Sequence, residues 1–286
     1  MPGLAIIRFQ GRCGARAARL APAPEKAMKK QKNVRLDQAL LQHGLAPALD
    51  RARALIMAGE VRVNGQVADK PDRPVAAGDA IEIKQSHPYV SRGAFKIDQA
   101  IREFAIEMQG LKVLDIGIST GGFSDRFLQG GAAAICGVDV NISQVDYGLR
   151  RDPRLHLLKK NARFLKKEDI PFEPDLIIMD LSFISITRVL PVLAVFAGAR
   201  ILSLIKPQFE APKGSVGKGG VVRDREQRLR ILLKLKHEIE NLDFAVLGCT
   251  PSGIKGKKGN QEYFFLLEYG KKKSIDDTMI SDAAAI

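Results

Sequence analysis

The sequence predicts an α/β protein built on a doubly wound sheet, with a small α+β domain ahead of it. Three observations carry that expectation. From Gly93 to Lys273, apolar runs of strand length alternate with helical patterns, as parallel strands joined by crossover helices require. The stretch Leu111 to Val140, LKVLDIGISTGGFSDRFLQGGAAAICGVDV, reads as strand, glycine turn, helix, strand, acid. Such a unit takes a nucleotide-like ligand at the carboxyl ends of its strands. Residues 34–84 set two short helices before an Asn64-Gly65 hairpin signal.

Composition narrows the class. The 286 residues suffice for more than one unit, and 45% hydrophobic content supplies a core. A formal charge of +13 and a pI near 9.7 point to nucleic acid or another polyanion. The longest apolar run, Val189 to Ala199, contains Pro191 and is followed by Arg200. It has the length of a buried helix rather than a membrane span. Cys13, Cys136 and Cys249 form no C-x-x-C pair, and the four histidines are scattered. No metal site and no disulfide framework are expected, and a reducing cytoplasm is the default location.

In chain order, residues 1–33 carry eight basic residues against Glu25. They are expected to be a disordered basic extension, with a transit peptide or a start at Met28 as other readings. Residues 34–84 form the first domain, with helices at Arg35–His43 and Asp50–Met57, a strand at Val61–Val63 and another at Ala80–Lys84. Arg35, Arg51, Arg53 and Arg62 are its candidate contacts to RNA phosphates. Residues 85–92, QSHPYVSR, read as a linker. The second domain spans 93–273. It opens with a helix at Gly93–Phe104, and strands follow at 112–116, 134–138, 155–159, 175–179, 199–205, 244–249 and 263–269. Helices are expected at 188–196 and 223–242. Residues 274–286 are expected to be a disordered tail.

Glycine spacing selects the ligand. The run is Asp115-x-Gly117-x-x-x-Gly121-Gly122, not the G-x-G-x-x-G of a dinucleotide fold. An acid just before the turn repels a pyrophosphate but suits an amino-bearing ligand. Asp139, at the end of the next strand, can bond ribose hydroxyls. S-adenosylmethionine offers an amino group, a sulfonium and a ribose diol, and the run resembles the first motif of class I methyltransferases.

Topology gathers four ionisable residues. Asp180 and Lys206 end parallel strands, and the first helix starts at the same edge with Lys96. An antiparallel last strand would begin there with Glu262. Lys96, Asp180, Lys206 and Glu262 should therefore converge beside the cofactor. A ribose 2′-hydroxyl needs a base. A free lysine has a pKa of about 10.4, and burial or a second cation lowers it. Lys206 is the expected base, Asp180 orients it, and Glu262 holds Lys96 or the ribose. Lys213 to Gly220 (KGSVGKGG) lacks the spacing of a P-loop. With Lys218 it reads either as a mobile lid over RNA phosphate or as a merely flexible loop. Ile254 to Gly259 (IKGKKG), carrying Lys255, reads as a second phosphate contact.

This tetrad resembles that of FtsJ/RrmJ-type 2′-O-ribose methyltransferases. The first domain, with Arg35-Leu36-Asp37, Arg51-Ala52-Arg53 and Val61-x-Val63-Asn64-Gly65, resembles S4-type RNA-binding domains. With Ser91-Arg92-Gly93-x-x-Lys96, Lys206-Pro207-Gln208-Phe209-Glu210, Val216 to Asp224 and Gly259-Asn260-x-Glu262, the chain is similar to the TlyA (haemolysin A) family over about residues 34–270. The resemblance implies an S-adenosylmethionine-dependent methyltransferase acting on a cytidine of ribosomal RNA, free or in subunits. Asp115, Gly117, Gly121, Gly122, Phe123, Asp139 and Asp180 would line the cofactor, with Asn161 on its adenine side. A monomer is favoured. The competing classes are a non-catalytic ribosome assembly factor, against which Lys206 and Glu262 argue, and a membrane-active haemolysin, which no lytic or spanning segment supports.

Overall fold

The computed structural model describes residues 33–46, 48–57, 59–83, 88–212, 214–217, 219–270 and 273–285, without the Lys257 side chain. The chain divides into two units between Pro88 and Tyr89.

In the first unit, β1 (Val34–Arg35) leads into α1 (Leu36–Gln42) and α2 (Leu49–Met57). β2 (Val61–Val63), β3 (Gln66–Ala68), β4 (Pro74–Val75) and β5 (Ile81–Ile83) follow. β2 is the centre of a sheet of order β3-β2-β5, and β1 pairs with β4. Apolar residues at helical spacing, Leu36, Ala39 and Leu40 on α1 with Ala52, Leu55 and Ile56 on α2, bury against Val61 and Val63. Asn64 (φ 52°) and Gly65 (φ 79°) turn the hairpin as their residue types allow. The Asn64 side chain also bonds Asp79 and the Ala80 N–H, fixing the entry to β5. Arg35 lies in β1, so α1 starts one residue later than its pattern suggests.

The second unit begins with α3 (Gly93–Glu103), β6 (Lys112–Ile116), α4 (Gly122–Gln129) and β7 (Ala134–Asp139). β8 (Leu155–Lys159), β9 (Leu176–Met179), α5 (Leu190–Leu193) and β10 (Arg200–Ile205) follow. α6 (Pro207–Glu210), α7 (Arg225–Glu240), β11 (Phe244–Pro251), β12 (Tyr263–Tyr269) and α8 (Asp277–Ala285) complete it. The seven-stranded sheet runs β11-β12-β10-β9-β6-β7-β8. β10, β9, β6, β7 and β8 are parallel, whereas β12 is antiparallel to β10 and β11. β9 is buried at every position, as a central parallel strand between two helical layers must be. Two apolar clusters, one on each sheet face, make the core.

Three expectations need correction. The predicted helix at 188–196 is broken into a 3₁₀ turn, the one-turn α5 and another 3₁₀ turn. Pro191 sits in the first turn of α5, where its missing N–H costs nothing but from which no helix can extend backward. The tail is not disordered. α8 buries Ile280, Ala283 and Ala284, and Asp277 pairs with the nearly buried Lys236 of α7 at 2.9 Å. Residues 89–92 belong to the second unit rather than to a linker. Tyr89 packs edge-on against Phe95, and the Val90 N–H donates to Asp125. Residues 1–32 and 84–87 lie outside the described residues.

Candidate active site

Strand register brings the site together. β9 pairs Met179 with Ser203 of β10 and with Ile116 of β6. Ile205 of β10 faces Tyr263 of β12. The residues just past or before these ends are Gly117, Asp180, Lys206 and Glu262, so they share one edge of the sheet. The reversal of β12 brings Glu262 there.

The tetrad forms two ion pairs. Lys206 Nζ lies 2.6 Å from Asp180 Oδ1 and 2.8 Å from Ser182 Oγ. Lys96 Nζ lies 2.7 Å from Glu262 Oε2. Lys206 and Glu262 are almost sealed, at 8% and 3% exposure, so each charge needs its partner. Pro207 starts α6 immediately after Lys206 and Glu210 ends it. The partly buried Glu210 accepts from the Ile186 N–H, which ties this turn to the segment after β9. Burial holds the Glu210 carboxyl above its usual range. Gly256 gives Glu262 its room, since a Cβ there would lie 2.2 Å from Oε1.

The cofactor edge is built at the end of β6. Asp115 is 1% exposed; its Oδ2 accepts from Ser124 Oγ at 2.6 Å, while Oδ1 has no partner. Burial, with the charges of Asp180 and Asp139 adding to it against the Ser124 bond, pushes its carboxyl up to about 7. A cationic amino group would relieve this orphaned oxygen, so the residues present fit S-adenosylmethionine. Asp139 accepts from the Ser119 and Asn141 N–H groups, each at 3.0 Å. That leaves a carboxylate further lone pairs for ribose hydroxyls. Gly117 (φ 83°) lets the loop pass the Asp180 carbonyl, where a Cβ would sit 2.5 Å from the oxygen. Gly121 (φ 93°) caps α4 under Leu149, and Gly122 packs on Ser91 and the start of α3.

Other expected residues take different places. Phe123 buries its ring in the core, 5.9 Å from that of Phe264. Asn161 caps a 3₁₀ turn by accepting from Arg163 N. In the first unit, Arg35 and Arg53 both bond the buried Asp37, at 2.9 and 3.1 Å, while remaining nearly half exposed. They hold its carboxyl at about 2. Arg62 donates to the Gly65 carbonyl. Lys255 is exposed, and Lys218 lies outside the described residues.

Phe183 escaped the sequence reading, and Asn260 entered it only as part of a motif, without a role. Phe183 is 89% exposed with φ 67°, and its ring lies 4.9 Å from that of Phe209, beside Lys206. An exposed aromatic held in the left-handed region is a costly arrangement that marks a functional edge. Only its place between a buried strand's end and a turn hinted at this. Asn260, 3% exposed, accepts from Val222 N and donates to the Gly220 carbonyl, tying the glycine-rich loop to the Glu262 segment.

Residues 89–269 match the FtsJ-like methyltransferase family, and residues 34–81 match the S4 domain. The chain is 40% identical over 257 residues to the 16S/23S rRNA (cytidine-2′-O)-methyltransferase TlyA of Mycobacterium tuberculosis, which covers 88% of this chain and 96% of that protein. It is 39% identical over 236 residues to hemolysin A of Brachyspira hyodysenteriae, covering 80% and 98%. A solved structure from Streptococcus thermophilus, described as a hemolysin, superposes with a TM-score of 0.68 at 33% identity, covering 89% of this chain and 95% of the other.

Proposed function

Because the chain belongs to the FtsJ-like methyltransferase family and, within it, to the TlyA (haemolysin A) group, it is an S-adenosylmethionine-dependent RNA 2′-O-methyltransferase, and we propose that it methylates a cytidine ribose of ribosomal RNA with Lys206 as the base. The observation that carries the lysine's role is its geometry. As the neutral amine, Nζ has two N–H donors and one lone pair; Asp180 and Ser182 engage the two donors, leaving the lone pair for the 2′-hydroxyl proton.

S-adenosylmethionine supplies an electrophilic methyl group on a sulfonium. Asp115 and Asp139 would bind its amino and ribose ends, and Gly117 would let the backbone approach it. Lys206, as the neutral amine, would take up the 2′-hydroxyl proton and so free the ribose oxygen to receive that methyl group. Asp180 keeps Nζ in line, and the Lys96–Glu262 pair holds the ribose. Positioning supplies most of the acceleration. The exposed Phe183, backed by Phe209, offers a stacking face for a base splayed out of the RNA. Ribosomal RNA as substrate is supported by the S4 match, the net charge of +13 and the printed activity of the M. tuberculosis relative.

Two variants test the base. Lys206→Ala should cut transfer by about 10²–10⁴-fold, the worth of a general base. Cofactor and RNA affinity should change little. Lys206→Arg should be as inactive, since a guanidinium keeps its charge but does not give up its proton. Full activity in Lys206→Arg would remove proton acceptance from the mechanism and leave an electrostatic role.

A further inference from the structure

A pocket on the second unit is lined by Val221, Val222, Arg223, Arg228, Lys255, Gly259 and Gln261. Three of these are cations, and among the described residues no carboxylate pairs with any of them. Other basic side chains of this unit are paired, as Arg126 with Asp98 and Arg154 with Asp152. The Arg228 guanidinium is also fixed in advance. Its Nε donates to the hydroxyl of Tyr263 at 3.1 Å, and its Nη1 donates to the Arg223 carbonyl at 2.7 Å. Tyr263 is fully buried and follows Glu262 directly. The loop from Gly220 to Val222 is pinned to the same segment through Asn260. Cation and catalytic edge are therefore held by one stretch of chain, 260–263.

We propose that this pocket binds one backbone phosphate of the RNA substrate, close to the nucleotide being methylated, so that the ribose is delivered to the Lys96–Glu262 pair in register. This rests on the RNA methyltransferase reading above. An oriented guanidinium beside two unpaired cations matches the fork geometry that phosphate accepts. A point charge in solvent would serve for general attraction, but it would not need the two bonds that immobilise Arg228. Arg228 is thus a positioning residue, and Arg223 and Lys255 supply the remaining charge.

The test uses the full-length protein and a ribosomal RNA fragment that the wild type methylates. Arg223→Gln/Lys255→Gln changes only exposed side chains, and Arg228→Lys keeps the charge but loses the fork. Melting and S-adenosylmethionine titration check that each variant is folded and cofactor-competent. KM for RNA is then measured between about 50 and 200 mM salt. For the double variant, KM should rise more than kcat falls, and the slope of log affinity against log salt should become shallower by about 1, the loss of one phosphate contact. Arg228→Lys should keep the slope but raise KM. An unchanged KM and slope in the double variant, with wild-type transfer intact, would overturn the phosphate pocket alone. A wild type that binds cofactor but transfers no methyl group to ribosomal RNA would overturn the reading beneath it as well.

Discussion

Asp115 is the most consequential single residue for the apo protein. Its carboxyl is pushed to about 7 by burial, so the folded unit retains a proton that the unfolded chain releases near pH 4. Folding stability must then fall as pH rises from about 4 to 7. Asp115→Asn should raise the melting temperature at pH 8, by roughly 2–4 °C per kcal/mol relieved, and should weaken S-adenosylmethionine binding. Thermal melts between pH 5 and 8, with and without cofactor, check both effects. A variant whose melting temperature falls with pH in parallel with the wild type would deny that this carboxyl carries the strain. The position of Asp115 was legible from its place before the glycine turn. Its orphaned oxygen was not, because burial depends on the helices that close over β6.

At the level of elements, alternation of apolar runs gave the strands and their polarity, and a reversed last strand was needed to place Glu262. β12 meets that need by pairing antiparallel with β10. The C-terminal residues were less legible. Met279-Ile280 and the alanines of DDTMISDAAAI make too weak an apolar stripe to announce a helix. α8 exists because Ile280, Ala283 and Ala284 find α7 and β11, and because Lys236 needs both Glu240, at 3.2 Å, and Asp277. Removing residues 274–286 should uncover an apolar face and cost about 2–4 kcal/mol. That would appear as a lower melting temperature of the second unit with the tetrad still in place. An unchanged melting temperature would mean that α8 contributes nothing to the fold.

For the whole molecule, a basic chain couples an S4 unit to a methyltransferase unit, and each has its own core. The S4 unit has its own pH limit. Arg35 foremost, with Arg53, holds Asp37 at about 2, so the stability this group adds is complete above about pH 4 and is lost as pH falls toward 2. Asp37→Asn should flatten that loss and destabilise the unit at neutral pH, as circular dichroism during acid titration would show. The two-unit plan was visible in the sequence through the Asn64-Gly65 turn and the glycine turn at 117–122. The boundary was not, because residues 89–92 look like loop yet are held by Phe95 and Asp125.

The most direct measurement is transfer of a labelled methyl group from S-adenosylmethionine to ribosomal subunits taken from cells lacking this protein, followed by nucleoside mass spectrometry. The account predicts label in 2′-O-methylcytidine, lost with Lys206→Ala. Label on a base, or none on either subunit from a protein that binds both cofactor and ribosomal RNA, would contradict it.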